Sequence, residues 1–129
     1  MKRFLLILGG ILVIAVAGYL GLYAPDAYGT SCGIGNIGKS FNAIACTQTI
    51  TWTTSASTDT NYVDWNAASG CQNPTYTNTT YGTNGTSHTV VIDCTDVGPK
   101  IAFRIHSSSS SCSEDTGCNT AITGPCAGE

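Results

Sequence analysis

The chain has 129 residues, enough for one domain with a modest core, and only 10% are charged, for a net charge of −3. No basic patch exists to neutralise a phosphate backbone, which excludes nucleic acid as a partner. Thr (19) and Ser (12) are abundant, so hydroxyls cover a surface that charges usually cover, as suits an extracytoplasmic protein.

Seven cysteines in so small a domain predict disulfides and an oxidising compartment. No C-x-x-C occurs, which removes the usual zinc-ribbon, thioredoxin-type and c-type haem readings. Seven is odd, so one thiol is left free or pairs between chains.

In chain order, Met1-Lys2-Arg3 is a basic start, followed by an uncharged run over residues 4–23. Two readings stay open. As a signal peptide, the run ends at a small-x-small site, Ala15-Val16-Ala17. As a retained helix it spans roughly 30 Å, one bilayer core, with Lys2 and Arg3 inside and the rest outside. The expected organisation is a hydrophobic helix over 1–23 (membrane anchor, filament core or signal peptide), a Gly-rich linker over 24–33, and one domain over 34–129.

Gly33-Ile34-Gly35-Asn36-Ile37-Gly38-Lys39-Ser40 spells the phosphate-loop pattern G-x-x-x-x-G-K-[ST]. That chemistry needs a buried strand before the loop and a helix after it. Here a polar linker precedes it and alternating strand-forming residues follow, so no nucleotide is expected.

Residues 46–54 alternate, with Ile50 and Trp52 on one face and Thr49, Thr51 and Thr53 on the other. A tryptophan facing inward requires a second sheet across from it. Residues 55–60 read as a polar turn. Residues 61–65 place Val63 and Trp65 inward, Tyr62 and Asp64 outward. Residues 66–87 are loop-rich, with a short edge strand near 75–80 and turn signals at Asn73-Pro74 and Asn84-Gly85. Residues 88–94 turn Val90, Ile92 and Cys94 inward. Residues 100–106 turn Ile101, Phe103 and Ile105 inward, and Ala102, Arg104 and His106 outward. The serine run 107–111 reads as a solvated loop, and 119–123 as a last strand.

Asn78-Thr79-Thr80 and Asn84-Gly85-Thr86 make Asn78 and Asn84 candidate glycosylation sites. His88 and His106 read as exposed strand residues. Asp115-Thr116-Gly117 reads as a turn inside a disulfide loop, since aspartic-protease chemistry needs the Asp between apolar strands. No serine has a nucleophile-elbow context. No catalytic residue, metal ligand or cofactor is therefore expected, and the protein is read as non-enzymatic.

Ile50-Thr51-Trp52-Thr53-Thr54, Val63-Asp64-Trp65, His88-Thr89-Val90-Val91-Ile92 and Phe103-Arg104-Ile105-His106-Ser107 together resemble fibronectin type III-like domains of prokaryotic surface proteins. The resemblance implies an all-β, fibronectin III/immunoglobulin-like sandwich, here preceded by one N-terminal hydrophobic α-helix. It departs at the start of the sixth strand, where the family usually carries a corner tyrosine and this chain has Ile101. The helix-plus-β-domain plan also looks like pilin and archaellin subunits. That plan implies a cell-surface structural protein that packs against copies of itself, or against a membrane, through its helix. The alternative is an adhesin or carbohydrate-binding module that takes a glycan on the 66–87 loop with Tyr76 and Tyr81.

The fibronectin III-like order also implies that 46–54 and 88–94 are antiparallel neighbours. Cys46 then lies beside Cys94, and the two are expected to form a disulfide that replaces the corner tyrosine as a clamp. Cys112 and Cys118, six apart around a turn, are the second expected pair. Cys32, Cys71 and Cys126 remain, one of them free or bonded to another subunit.

Overall fold

The computed structural model describes residues 30–67 and 70–127. The helix expected over residues 1–23 and most of the linker lie outside the described residues. Within them no helix is long and apolar enough to cross a membrane.

Eight strands form two sheets among the described residues: β1 (Gly35–Asn42), β2 (Thr47–Thr58), β3 (Thr60–Ala67), β4 (Asn78–Tyr81), β5 (Gly85–Asp93), β6 (Lys100–Ser108), β7 (Ser113–Asp115) and β8 (Asn119–Ile122). One sheet has the order β1-β2-β5 and the other β4-β3-β6-β7, with β8 also on β6. Every pairing between these strands is antiparallel. β7 pairs with the end of β6 and β8 with its beginning.

The alternation read from the sequence builds the core. Ile50, Trp52, Val90 and Ile92 from the smaller sheet meet Val63, Ile101, Phe103, Ile105 and Ala121 from the larger one. Each large apolar side chain buried there contributes roughly 1.5–3 kcal/mol. One end of this layer is polar. Trp52 Nε1 donates to Ser107 Oγ (2.9 Å), and the Trp52 ring stacks on His88 at 5.1 Å. His88 Nδ1 meets Thr83 O at 2.6 Å, and its Nε2 meets Thr54 Oγ1 at 3.0 Å. His88 is 1% exposed, so its expected place on the surface is corrected. Its parity with Val90 and Ile92 puts it inside, and the surrounding hydroxyls satisfy its ring nitrogens.

Several element boundaries also differ, and β6 runs on through Ser108 into the expected serine loop, with Ser107 fully buried. β2 continues through the expected 55–60 turn to Thr58, because buried Thr54 and Thr58 give it an inner face beyond Trp52. A register shift between Thr53 and Thr58 absorbs the irregularity. Ser113–Asp115 is a strand, although three polar residues carry no apolar period to announce it. Residues 30–33, expected in the linker, are tied down. Ser113 N–H donates to Thr30 O (3.1 Å), and Ser55 N–H donates to Cys32 O (2.9 Å).

The cysteine pairing is the main correction. The disulfides are Cys32–Cys112, Cys46–Cys126 and Cys71–Cys118, with Cys94 free and buried. The neighbour relation behind the expected Cys46–Cys94 bridge holds: Thr47 faces Asp93, and Cys94 N–H donates to Cys46 O at 2.9 Å. The parity argument fails because Cys46 belongs to the β1–β2 turn, with φ of 51°, and does not continue the strand. Its partner comes from the C-terminal segment, at a Cα–Cα distance of 5.0 Å. The expected Cys112–Cys118 bridge fails because β7 runs between the two residues and carries them apart. Cys32–Cys112 and Cys46–Cys126 join the sheets at opposite ends, each across 80 residues of sequence. Chain entropy gives about 4.5 kcal/mol for a loop of that length. With three disulfides formed, the folded domain belongs to an oxidising environment.

Cys94 is also not the clamp on the turn before β6. Thr123, 1% exposed, fills that role: its N–H donates to Pro99 O (3.0 Å) and its hydroxyl to Gly98 O.

Candidate ligand-binding face

The outward residues of the larger sheet form two rows across the strands. In the first, Tyr81 of β4 faces Tyr62 of β3, Tyr62 faces His106 of β6, and His106 faces Asp115 of β7. Residues directly opposite on one face of a sheet have Cβ atoms about 5 Å apart, so these side chains must meet. The Tyr81 and Tyr62 rings lie edge to face at 5.7 Å. Tyr62 stacks on the His106 ring at 4.6 Å and 18°. His106 Nδ1 lies 2.9 Å from Asp115 Oδ1 and Nε2 lies 3.0 Å from Ser108 Oγ.

The second row is Thr79, Asp64 and Arg104. Arg104 donates from Nε (3.1 Å) and Nη2 (2.9 Å) to one oxygen of Asp64, and Thr79 Oγ1 donates to the other at 2.6 Å. The Arg104 guanidinium also sits 5.1 Å from the centre of the Tyr76 ring, a cation–π contact. Bonding to Asp64 pushes the Arg104 pKa above its ordinary value. Burial first, then the Asp64 and Asp115 carboxylates, raise that of Tyr62, so its phenol stays a hydrogen-bond donor.

The two rows make a shallow platform of aromatic rings edged by polar groups with fixed partners. Tyr81 is 74% exposed and heads the row. Tyr76 and Tyr81, the expected ligand-contacting residues, both come to this face, at opposite ends of the 66–87 segment's return to the sheet. The structure adds Tyr62, Asp64, Arg104 and His106, whose outward parity was readable in the sequence. It also adds Asp115 and Ser108, which were read only as turn and loop.

The other singled-out residues lie elsewhere. Asn78, at the start of β4, and Asn84, in the turn before β5, are both exposed. Asn78 Nδ2 donates to Thr77 Oγ1 at 3.2 Å. The phosphate-loop pattern falls mostly within β1, and Lys39 Nζ donates to Thr120 O at 3.0 Å. Cys94 and Cys126 line a cleft of about 460 Å³ with Val97, Pro99 and Ile122. Burial raises the Cys94 pKa, which keeps it a thiol. Among the described residues no group of three or more His, Cys, Asp or Glu is gathered for a metal ion.

No protein-family model matches this chain, and no curated protein or solved structure matches it.

Proposed function

We propose that this domain is an extracytoplasmic binding module that holds carbohydrate on the outer face of its larger sheet. The observation that carries the reading is the Tyr81–Tyr62–His106 row. Sugar rings offer flat C–H faces rimmed by hydroxyls. Tyrosines supply rigid apolar area at small entropic cost, with a polar tip for the rim. Arg104, half-exposed and already neutralised by the buried Asp64, presents guanidinium donors with little net charge, which favours neutral saccharides over anionic ones. The order β1-β2-β5 against β4-β3-β6-β7 supports the fibronectin type III-like reading, and the disulfides support a place outside the cell.

The pilin-like reading rests on the uncharged run 4–23, which lies outside the described residues. It joins the binding reading if that run tethers the domain to a membrane or to copies of itself, leaving the aromatic face to bind. N-linked sugar on Asn78 or Asn84 belongs to the same extracytoplasmic proposal.

A glycan array probed with the intact protein tests the function. Retention of neutral oligosaccharides, lost in Tyr62→Ala, supports it. An empty array, or retention unchanged in that variant, contradicts it.

A further inference from the structure

We propose that Asp115, His106 and Ser108 form an oriented nucleophile on this face, and that Ser108 attacks short acyl esters carried by the bound carbohydrate. The substrate class rests on the carbohydrate reading. The nucleophile rests on geometry alone.

The three side chains stand in the relation that activates a serine. Asp115 Oδ1 lies 2.9 Å from His106 Nδ1, and a carboxylate there can only accept, so the ring proton sits on Nδ1. That leaves the Nε2 lone pair facing Ser108 Oγ, 3.0 Å away. Nucleophile, base and orienter are thus in a line of hydrogen bonds, and such an arrangement is recognised by geometry and not by sequence order.

The fold holds all three in place. Ser108 follows His106 by two residues on β6, so both point the same way. Asp115 is the direct cross-strand partner of His106. Tyr62 covers one face of the imidazole, and the His106 side chain is only 15% exposed, which fixes the ring. Ser108 is held from both sides, opposite Thr60 on β3 and Ser113 on β7. His88 is the useful contrast. It also meets hydroxyls, but threonine ones in a sealed site, and a backbone carbonyl, Thr83 O, sits where His106 has its carboxylate. Only the histidine on the aromatic face has the full set.

The step balances within these groups and water. Ser108 Oγ attacks the carbonyl carbon of an O-acyl sugar while its proton passes to His106 Nε2. The ester C–O bond breaks, and the sugar oxygen takes that proton and leaves as the alcohol. Water then gives a proton to His106 and attacks the acyl-serine, releasing the carboxylic acid and restoring Ser108. The face is open, so water screens the charge that develops on the carbonyl oxygen. Covalent capture is therefore a more sensitive signature than fast turnover.

The experiment treats the full-length protein with a fluorophosphonate probe and maps the adduct by mass spectrometry. The expected result is one adduct, on Ser108. It should be absent in Ser108→Ala and slowed about a hundredfold in His106→Gln, the scale of general-base assistance. Asp115→Asn should slow it as well, because the amide no longer fixes the tautomer, while Ser110→Ala should react like the parent. Circular dichroism confirms that each variant is folded. No adduct on the folded parent, an adduct spread evenly over the serine run, or a rate unchanged in His106→Gln overturns the proposal. The probe carries no sugar, so the Ser108 adduct reads the nucleophile apart from saccharide retention, which the glycan array reads.

Discussion

The two outer faces of this sandwich come from the same two-residue alternation and carry different chemistry. On the smaller sheet, register aligns Ser40, Thr49 and Val91 in one row and Gly38, Thr51 and Thr89 in the next. These rows hold neither a ring nor a charge. On the larger sheet the equivalent rows are Tyr81–Tyr62–His106–Asp115 and Thr79–Asp64–Arg104. Hydroxyls on the first face bond to water as readily as to any ligand. The second face presents aromatic area beside polar groups that are already oriented. A strand's outward parity therefore says only that a residue meets solvent. What it does there depends on which residues the neighbouring strands bring beside it.

The two faces share one core, so the largest effect should remove both. Trp52→Ala empties a site closed by Val90, His88 and Ser107, and should cost about 3–5 kcal/mol in chemical denaturation. Replacing Cys32 and Cys112 together by Ser should cost about 2–4 kcal/mol, with the end of the sandwich nearest the aromatic row opening first in hydrogen exchange.

A smaller effect sharpens the contrast between the faces. Asp64→Ala leaves Arg104 and Thr79 without their shared acceptor. Arg104 is 44% exposed and rehydrates, so the expected loss is only about 1 kcal/mol. Thr51→Ala, on the smaller sheet, should change stability by less than about 0.5 kcal/mol.

The last effect is one of pH. Glu114 accepts from Ile34 N–H (3.0 Å) and Ser31 Oγ (2.7 Å). The Ile34 bond above all, helped by Ser31 and the Gly33 and Cys32 N–H groups, holds its pKa below the ordinary value. A carboxylate depressed in the folded state stabilises fully above its unfolded pKa of about 4.3, and that contribution fades as pH falls through the folded value. Denaturation midpoints between pH 6 and 3 should therefore fall less in Glu114→Gln than in the parent.

Much of the fold was legible. Ile50 and Trp52, Val90 and Ile92, and Ile101, Phe103 and Ile105 announced their inward faces because apolar residues recur every second position in strand-forming sequence. The pairing of β2 with β5 followed from the resemblance those segments carry. The cysteine pairing was not legible, since a left-handed residue at Cys46 redirects its side chain in a way that no alternation records. β7 was invisible because Ser113, Glu114 and Asp115 have no apolar period, and the site was lost with it. His106 and Asp115 are nine residues apart and meet only through the register of β6 with β7. Tyr62, Asp64 and Arg104 were placed outward correctly, but their rows needed the cross-strand register as well.

The central claim is that the face bearing Tyr62, and not the hydroxyl face, binds carbohydrate. Titrating a saccharide retained on the array into the parent, Tyr62→Ala and Thr51→Ala by isothermal calorimetry tests it most directly. The account predicts that Tyr62→Ala weakens binding at least about tenfold, a loss of about 1.4 kcal/mol, while Thr51→Ala binds as the parent does. Equal affinity in all three, or a loss confined to Thr51→Ala, would contradict it.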